Sequence, residues 1–185
     1  MVKLILCRHG QDEDNASSKL NGHRNTPLTI LGQSQARTVA DKLRSNSQKI
    51  DAVLTSPLQR ASHTAARIAE ALGLPLHTND LLIERDFGVL SSRLLSDIPT
   101  FSKSLLKTEK VTYFIDSYGA ETFDELYVRA TKLVSFVERA YCGKEAVVLV
   151  CHGDIGKMIA AVRRQISWEE ALHAPFIDNT GIVEL

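Results

Sequence analysis

Two apolar runs of strand length stand out along the chain. Val2-Lys3-Leu4-Ile5-Leu6-Cys7 leads into Arg8-His9-Gly10, and Ala146-Val147-Val148-Leu149-Val150-Cys151 leads into His152-Gly153. Unbroken apolar runs of this length predict strands buried on both faces, as in a parallel sheet. A third, Asp51-Ala52-Val53-Leu54-Thr55-Ser56, predicts a short buried strand, and residues 76–83 predict an extended segment ending at Glu84. Between them apolar residues recur at helical spacing. Thr29 is placed to cap a helix that turns Leu31, Ala36, Val39, Ala40 and Leu43 inward and ends near Arg44. Pro57 is expected at the first position of a second helix, with Ala61, Ala65, Ile68, Ala69 and Leu72 on one face and a stop at Gly73 and Pro75. A capped helix over 121–141 carries Phe123, Leu126, Tyr127, Ala130, Val134 and Val137 inward, and another runs from Asp154 to about Arg164. Thr180-Gly181-Ile182-Val183-Glu184-Leu185 is a last extended segment, and the weakly patterned 90–120 predicts one short helix and a lid.

This alternation predicts an α/β fold with a mostly parallel central sheet and helices on both faces. In such sheets ligands bind beyond the carboxyl ends of the strands, so the histidines that end the first and last apolar runs are expected to meet at one crevice. The chain has 185 residues, 44% of them hydrophobic, enough for a full core in one domain spanning 1–185. No internal repeat, linker or low-complexity segment interrupts it.

Lys+Arg and Asp+Glu both number 22, so the formal net charge is zero. No global basic field is available to hold nucleic acid or an anionic membrane, and any anion site must be local. No apolar stretch approaches the ~20 residues of a membrane span. Cys7, Cys142 and Cys151 are odd in number and lack zinc-ligand spacing, which fits a reduced, cytoplasmic compartment. The oligomeric state is left open.

Arg8-His9-Gly10 combines a planar donor fork suited to phosphate oxygens, a nitrogen nucleophile largely neutral near pH 7, and a backbone free to bend beside a ligand. Together they describe a phosphate site with its own nucleophile. Arg60 stands one turn after Pro57, where a helix start also favours an anion.

Four segments make the chain resemble the histidine phosphatase, or phosphoglycerate mutase-like, superfamily. They are Arg8-His9-Gly10, Thr55-Ser56-Pro57-Leu58-Gln59-Arg60-Ala61, Glu84-Arg85-Asp86-Phe87-Gly88 and Cys151-His152-Gly153. Asn15, the stretch from Thr26 to Ala36, Gly119-Ala120-Glu121-Thr122 and Asn179-Thr180 extend the likeness over essentially the whole chain. The resemblance implies that His9 is transiently phosphorylated, that Arg8, Arg60 and His152 surround the phosphate with Asn15 as a neutral donor, and that Glu84 is the proton donor. That last role calls for a pKa above the free value of ~4.3, as burial would cause. It also points to the loop after the nucleophile, with Gly22 and His23, as a substrate contact, and no metal is required. His63, His77 and His173 are expected to be structural or solvent-facing.

The activity implied is hydrolysis of a small phosphorylated metabolite or a phosphoprotein. A phosphoglycerate mutase is the alternative, and only it would need 2,3-bisphosphoglycerate as a cofactor. An inactive binding module is the alternative from another class. Mutases of the family use a longer insertion with adjacent arginines, whereas Val89 to Gly119 holds only Arg93, Lys103, Lys107 and Lys110. Gln11 and Asp14 depart from the family pattern, so the acidic stretch Asp12-Glu13-Asp14 is expected either to border the pocket entrance and disfavour strongly anionic substrates or to be a solvated charge run. Few apolar residues are evidently free to form a substrate wall. Aspartate-nucleophile, calcium-loop, cysteine-phosphatase and Gly-rich nucleotide-loop patterns all fail on their required residues.

Overall fold

The computed structural model describes residues 1–185. In chain order it contains β1 (Lys3–Arg8), α1 (Glu13–Ala16), α2 (Ile30–Arg44), β2 (Ala52–Thr55), α3 (Gln59–Leu72), β3 (Leu76–Thr78) and α4 (Ile98–Phe101). There follow β4 (Leu105–Lys107), β5 (Thr112–Phe114), α5 (Phe123–Ala140), β6 (Ala146–Cys151), α6 (Gly153–Arg164), α7 (Trp168–His173) and β7 (Ile182–Glu184). The five-stranded sheet runs β3-β2-β6-β1-β7, parallel except for β7, which pairs antiparallel with β1. The predicted α/β architecture is therefore the one observed.

Alternation along each strand sends successive side chains to opposite faces. Leu4, Leu6, Leu54 and Leu149 pack under α5 and α6, with Phe123, Leu126, Val137, Met158 and Ile159. Ile5, Cys7, Val53, Val148 and Val150 pack under α2 and α3, with Val39, Leu43, Ala65 and Ile68. Burial on both faces explains why β2 and β6 read as unbroken apolar runs. None of the helices is long and apolar enough to cross a membrane.

Several local expectations are corrected. Leu31 is 53% exposed rather than inward; the buried place in that turn belongs to Gly32. A Cβ on Gly32 would lie 2.0 Å from the Gln11 carbonyl oxygen, so only glycine lets α2 approach the loop behind β1 so closely. Helix α3 starts at Gln59, not Pro57, because the Ser56 hydroxyl accepts from Leu58 N and holds the lead-in as a turn. Its inward face also takes in Arg60 and Thr64. Likewise α5 starts at Phe123, where Thr122 and Glu125 cap one another reciprocally. The extended segment predicted over 76–83 is a strand only to Thr78; Asn79 then caps a 3₁₀ turn at Asp80–Leu82.

In the 90–120 region α4 is present, but so is an unexpected antiparallel hairpin, β4–β5. Its base is tied by Asp116, which accepts from Ser102 Oγ (2.6 Å) and Ser104 N (2.9 Å). The short α7 was also not foreseen.

Candidate active site

Parallel pairing of β1 with β6 places Arg8 opposite Cys151, so the chain leaves both strands at the same edge with His9 and His152 side by side. Their ring centroids are 5.0 Å apart, and His9 N donates to the Cys151 carbonyl (3.1 Å). Both are almost fully buried, at 2% and 1% exposure. His9 Nδ1 lies 2.7 Å from the Gly10 carbonyl, so it carries the proton and Nε2 keeps the lone pair. His152 is the opposite tautomer: Nδ1 accepts from Arg60 Nε (3.1 Å), and Nε2 donates to Ser56 Oγ (2.8 Å). Burial first, and then the nearby Arg60 and Arg8, hold both imidazoles well below the usual histidine pKa.

Arg60 lies under the pair. Its Nε–H is shared between His152 and His9 Nε2 (3.2 Å), while its terminal nitrogens donate to the carbonyls of Arg24 (2.6 Å) and Gly22 (2.7 Å). Asp12 Oδ2, fully buried, is 3.3 Å from Arg60 Nε. Asp12 also accepts from Asn15 N, Asn21 Nδ2 and Thr26 Oγ1, and Asp14 turns inward to Arg24. The acidic stretch therefore neither borders an entrance nor forms a solvated run: two of its three carboxylates serve as internal partners of arginines.

Glu84 is placed by a different device. The carboxylate caps α6, Oε1 accepting from Ile155 N (3.1 Å) and Arg85 N (2.9 Å), and Oε2 from Asp154 N (3.3 Å). Burial first, then the charge of Asp154, raise its pKa against the pull of those N–H groups and of Arg60. Arg8 donates to the Ile177 carbonyl (2.9 Å) and stacks on Phe176, while its buried Nε has no partner. A buried donor left unpaired costs about 1–3 kcal/mol unless a ligand satisfies it. Asn15 accepts from Asn179 through Oδ1, and its side-chain Nδ2 makes no hydrogen bond in the protein.

These groups meet at a cavity of about 490 Å³. Arg8, His9, Asn15 and Glu84 line it; Arg60 and His152 stand directly behind His9 and do not. Gly22 and His23, expected to touch substrate, are also absent from its wall. Gly22 serves Arg60 through its carbonyl, and the exposed His23 places Nε2 at 2.7 Å from the Glu84 carbonyl. His63, His77 and His173 face solvent. No three His, Cys, Asp or Glu side chains converge in a geometry suited to a metal ion.

Arg85 was not foreseen at the site, although it adjoins Glu84. It is buried, lines the cavity, pairs with Asp154 (2.8 Å) and stacks between Phe114 and Phe123. Glu121, in contrast, pairs with Arg129. The wall is also more apolar than expected, with Leu20, Phe87, Ile98, Tyr113, Phe114 and Phe176.

Residues 4–185 match the family model of the histidine phosphatase superfamily, branch 1. A 2,3-bisphosphoglycerate-dependent phosphoglycerate mutase of Methylobacterium sp. is 32% identical over 157 residues, 82% of this chain and 75% of that relative. A probable phosphoglycerate mutase of Yersinia enterocolitica is 40% identical over 98 residues, 53% of this chain but only 45% of that relative. Among solved structures, a phosphoserine phosphatase of Entamoeba histolytica in complex with 3-phosphoglyceric acid superposes with a TM-score of 0.82 at 28% identity, covering 100% of this chain and 90% of that one. A mycobacterial glucosyl-3-phosphoglycerate phosphatase shares the fold, with a TM-score of 0.85 at 22% identity, covering 100% and 91%.

Proposed function

The chain belongs to the histidine phosphatase superfamily, and on that premise we propose that it is a phosphomonoester hydrolase working through a phosphohistidine intermediate. The observation that carries this reading is His9 itself: a buried neutral imidazole, its Nδ1 tied to Gly10, its Nε2 at a cavity that also holds the unpartnered Arg8 Nε and the Glu84 carboxyl.

In the first step the His9 Nε2 lone pair attacks phosphorus and the P–O ester bond breaks. The proton of the Glu84 carboxyl passes to the departing oxygen. Once Nε2 is bonded to phosphorus, the Arg60 N–H loses that acceptor and keeps His152 Nδ1. In the second step Glu84, now a carboxylate, takes a proton from water. The water oxygen bonds to phosphorus, the P–N bond breaks, its electron pair returns to Nε2, and inorganic phosphate leaves. Arg8, Arg60 and the Asn15 amide oppose the charge carried on the transferring group. The raised pKa of Glu84 favours the protonated form this step needs, and His152 holds Arg60 in line through Nδ1.

The names of the relatives keep a phosphoglycerate mutase as the second reading. Of the four cations between Val89 and Gly119, only Lys110 lines the cavity, and Arg93 instead stacks on Phe101. Two adjacent guanidinium groups for a glycerate carboxylate are not offered, which favours hydrolysis. A reducing, cytoplasmic setting is part of the proposal, supported by three unpaired cysteines, of which Cys7 and Cys151 are buried with thiol pKa values pushed up by desolvation.

The test is incubation with para-nitrophenyl phosphate in a chelator, in parallel with 3-phosphoglycerate plus a trace of 2,3-bisphosphoglycerate. Phosphate release, with an acid-labile, base-stable phosphoenzyme that is missing in His9→Ala, supports hydrolysis. Formation of 2-phosphoglycerate without release makes the enzyme a mutase, and silence in both sinks either reading.

A further inference from the structure

We propose that the cavity selects phosphomonoesters of an aromatic or other apolar-bodied alcohol that ends in an anionic group, with Tyr113 and Lys110 of the unforeseen hairpin as specificity-determining residues; this rests on the phosphomonoesterase reading above.

The cavity is graded from floor to rim. At the floor, Arg8, His9, Asn15 and Glu84 are enough for one phosphate. Above them Leu20, Phe87, Ile98 and Phe114 form one buried apolar cluster, with Phe87 and Phe114 edge to face at 5.2 Å. Such an interlocked wall is preformed, and it suits an apolar body of matching shape.

A sugar or polyol would need replacements for the water hydrogen bonds it gives up on entering. Of the polar side chains in the lining, Asn21, Asn179 and Arg85 are already committed, whereas the Ser18 and Thr112 hydroxyls and the Asn15 amide are open. Asn21 Nδ2 donates to Asp12, Asn179 Nδ2 to His9 O and Asn15, and Arg85 to Asp154 and the Phe114 carbonyl. Tyr113 is also open but is set apart by burial: it is only 4% exposed, it lines the cavity, and its hydroxyl makes no hydrogen bond within the protein. Its ring is held by Phe123 (6.1 Å, edge to face), so the hydroxyl is a fixed donor for one substrate oxygen.

The rim carries charge of one sign. Lys19 and Lys110 line it, both exposed, whereas the only carboxylates in the lining are Glu84 and Asp154 at the floor, the latter paired with Arg85. Lys110 has a single carboxylate near it, Asp178 at 4.0 Å, and Lys19 has none within that distance. Ammonium groups above low-dielectric walls attract a second anion. The volume also exceeds what a three-carbon phosphate fills, which leaves room for a ring between the two charges.

The experiment compares 3-(4-phosphooxyphenyl)propanoate with its amide. The two share a phenol leaving group of nearly equal acidity and differ in the distal charge. Hexyl phosphate against glycerol 1-phosphate tests the apolar wall. The expected result is that kcat/KM favours the propanoate by about fivefold, the size of a partly exposed ion pair, and that the ratio falls to near one in Lys110→Ala. Hexyl phosphate should be preferred to glycerol 1-phosphate, and Tyr113→Phe, which keeps the ring, should raise KM for the propanoate about fivefold. Equal turnover of propanoate and amide, a preference that survives Lys110→Ala, an unmoved KM in Tyr113→Phe, or better use of glycerol 1-phosphate overturns the assignment. Para-nitrophenyl phosphate turnover in the same preparation then keeps the hydrolase reading standing. No turnover of any ester, para-nitrophenyl phosphate included, removes both.

Discussion

Asp12 Oδ2 lies 3.3 Å from Arg60 Nε, and neither side chain has any exposure to solvent. The same Arg60 N–H faces both imidazoles, so this one ion pair sets the orientation of the group behind the nucleophile. Two charges held so deep are stable only as a pair, because desolvating either alone costs more than the fold can easily offset.

Asp12→Asn should therefore destabilise the protein by about 3 kcal/mol, the cost of leaving a buried cation unpaired. Denaturant unfolding of the variant checks this. A stability within error of wild type would mean that the carbonyls of Gly22 and Arg24 alone suffice for Arg60.

His9→Ala should abolish turnover while the fold persists, as read by circular dichroism. Glu84→Gln should lower kcat/KM, which reports only the first step, by about 10²–10⁴-fold for alkyl phosphates and much less for para-nitrophenyl phosphate, since only a poor leaving group needs the proton. An equal loss on both substrates would show that Glu84 is not the acid.

The raised pKa of Glu84 also predicts that kcat/KM falls on the alkaline side as the carboxyl ionises, and that Glu84→Gln lacks this limb. Depressed imidazole pKa values mean that protonation of His9 does not limit activity just below pH 6.5. A full pH–rate profile of both proteins is the measurement.

Stability should follow pH through the same groups. Between the depressed folded pKa of His9 and His152 and the ordinary value near 6.5, the unfolded chain binds more protons, so stability rises with pH and is lost as pH falls below about 6.5. Glu84 acts with the opposite sign: its contribution is full below the ordinary carboxyl value and is lost as pH rises through its raised folded pKa. Unfolding curves from pH 5 to 7 should show a positive slope that lessens in His152→Asn. An unchanged slope would place the proton uptake elsewhere.

Gly32→Ala should cost about 1–3 kcal/mol, because the added Cβ meets the Gln11 carbonyl, a backbone atom that cannot step aside. Activity should fall with it, since Gly10, beside His9, packs against the same Gly32 backbone. A thermal shift and a turnover assay on one preparation read both effects.

Much of this was legible in the chain. The apolar runs before His9 and His152, the cap at Thr29, the Gly73 stop and the spacing within α5 are local signals, because strand and helix periodicity depends only on neighbours in sequence. They determined the layer order and the shared edge of the two histidines, whereas the candidates Arg8, Arg60 and Glu84 came from the chemistry of their motifs and the family resemblance those motifs carry. The hairpin was hidden because three-residue strands carry too few positions to show alternation. What only the tertiary structure decided was which polar groups turn inward. Asp12 is buried because Arg60, from another element, lies over it; Arg85 is buried because Asp154, Phe114 and Phe123 surround it; and Gly22 and His23 support the site from outside the cavity. Burial of a charge is favourable only where a distant partner compensates its lost hydration, and that partner is supplied by the fold rather than by neighbouring residues.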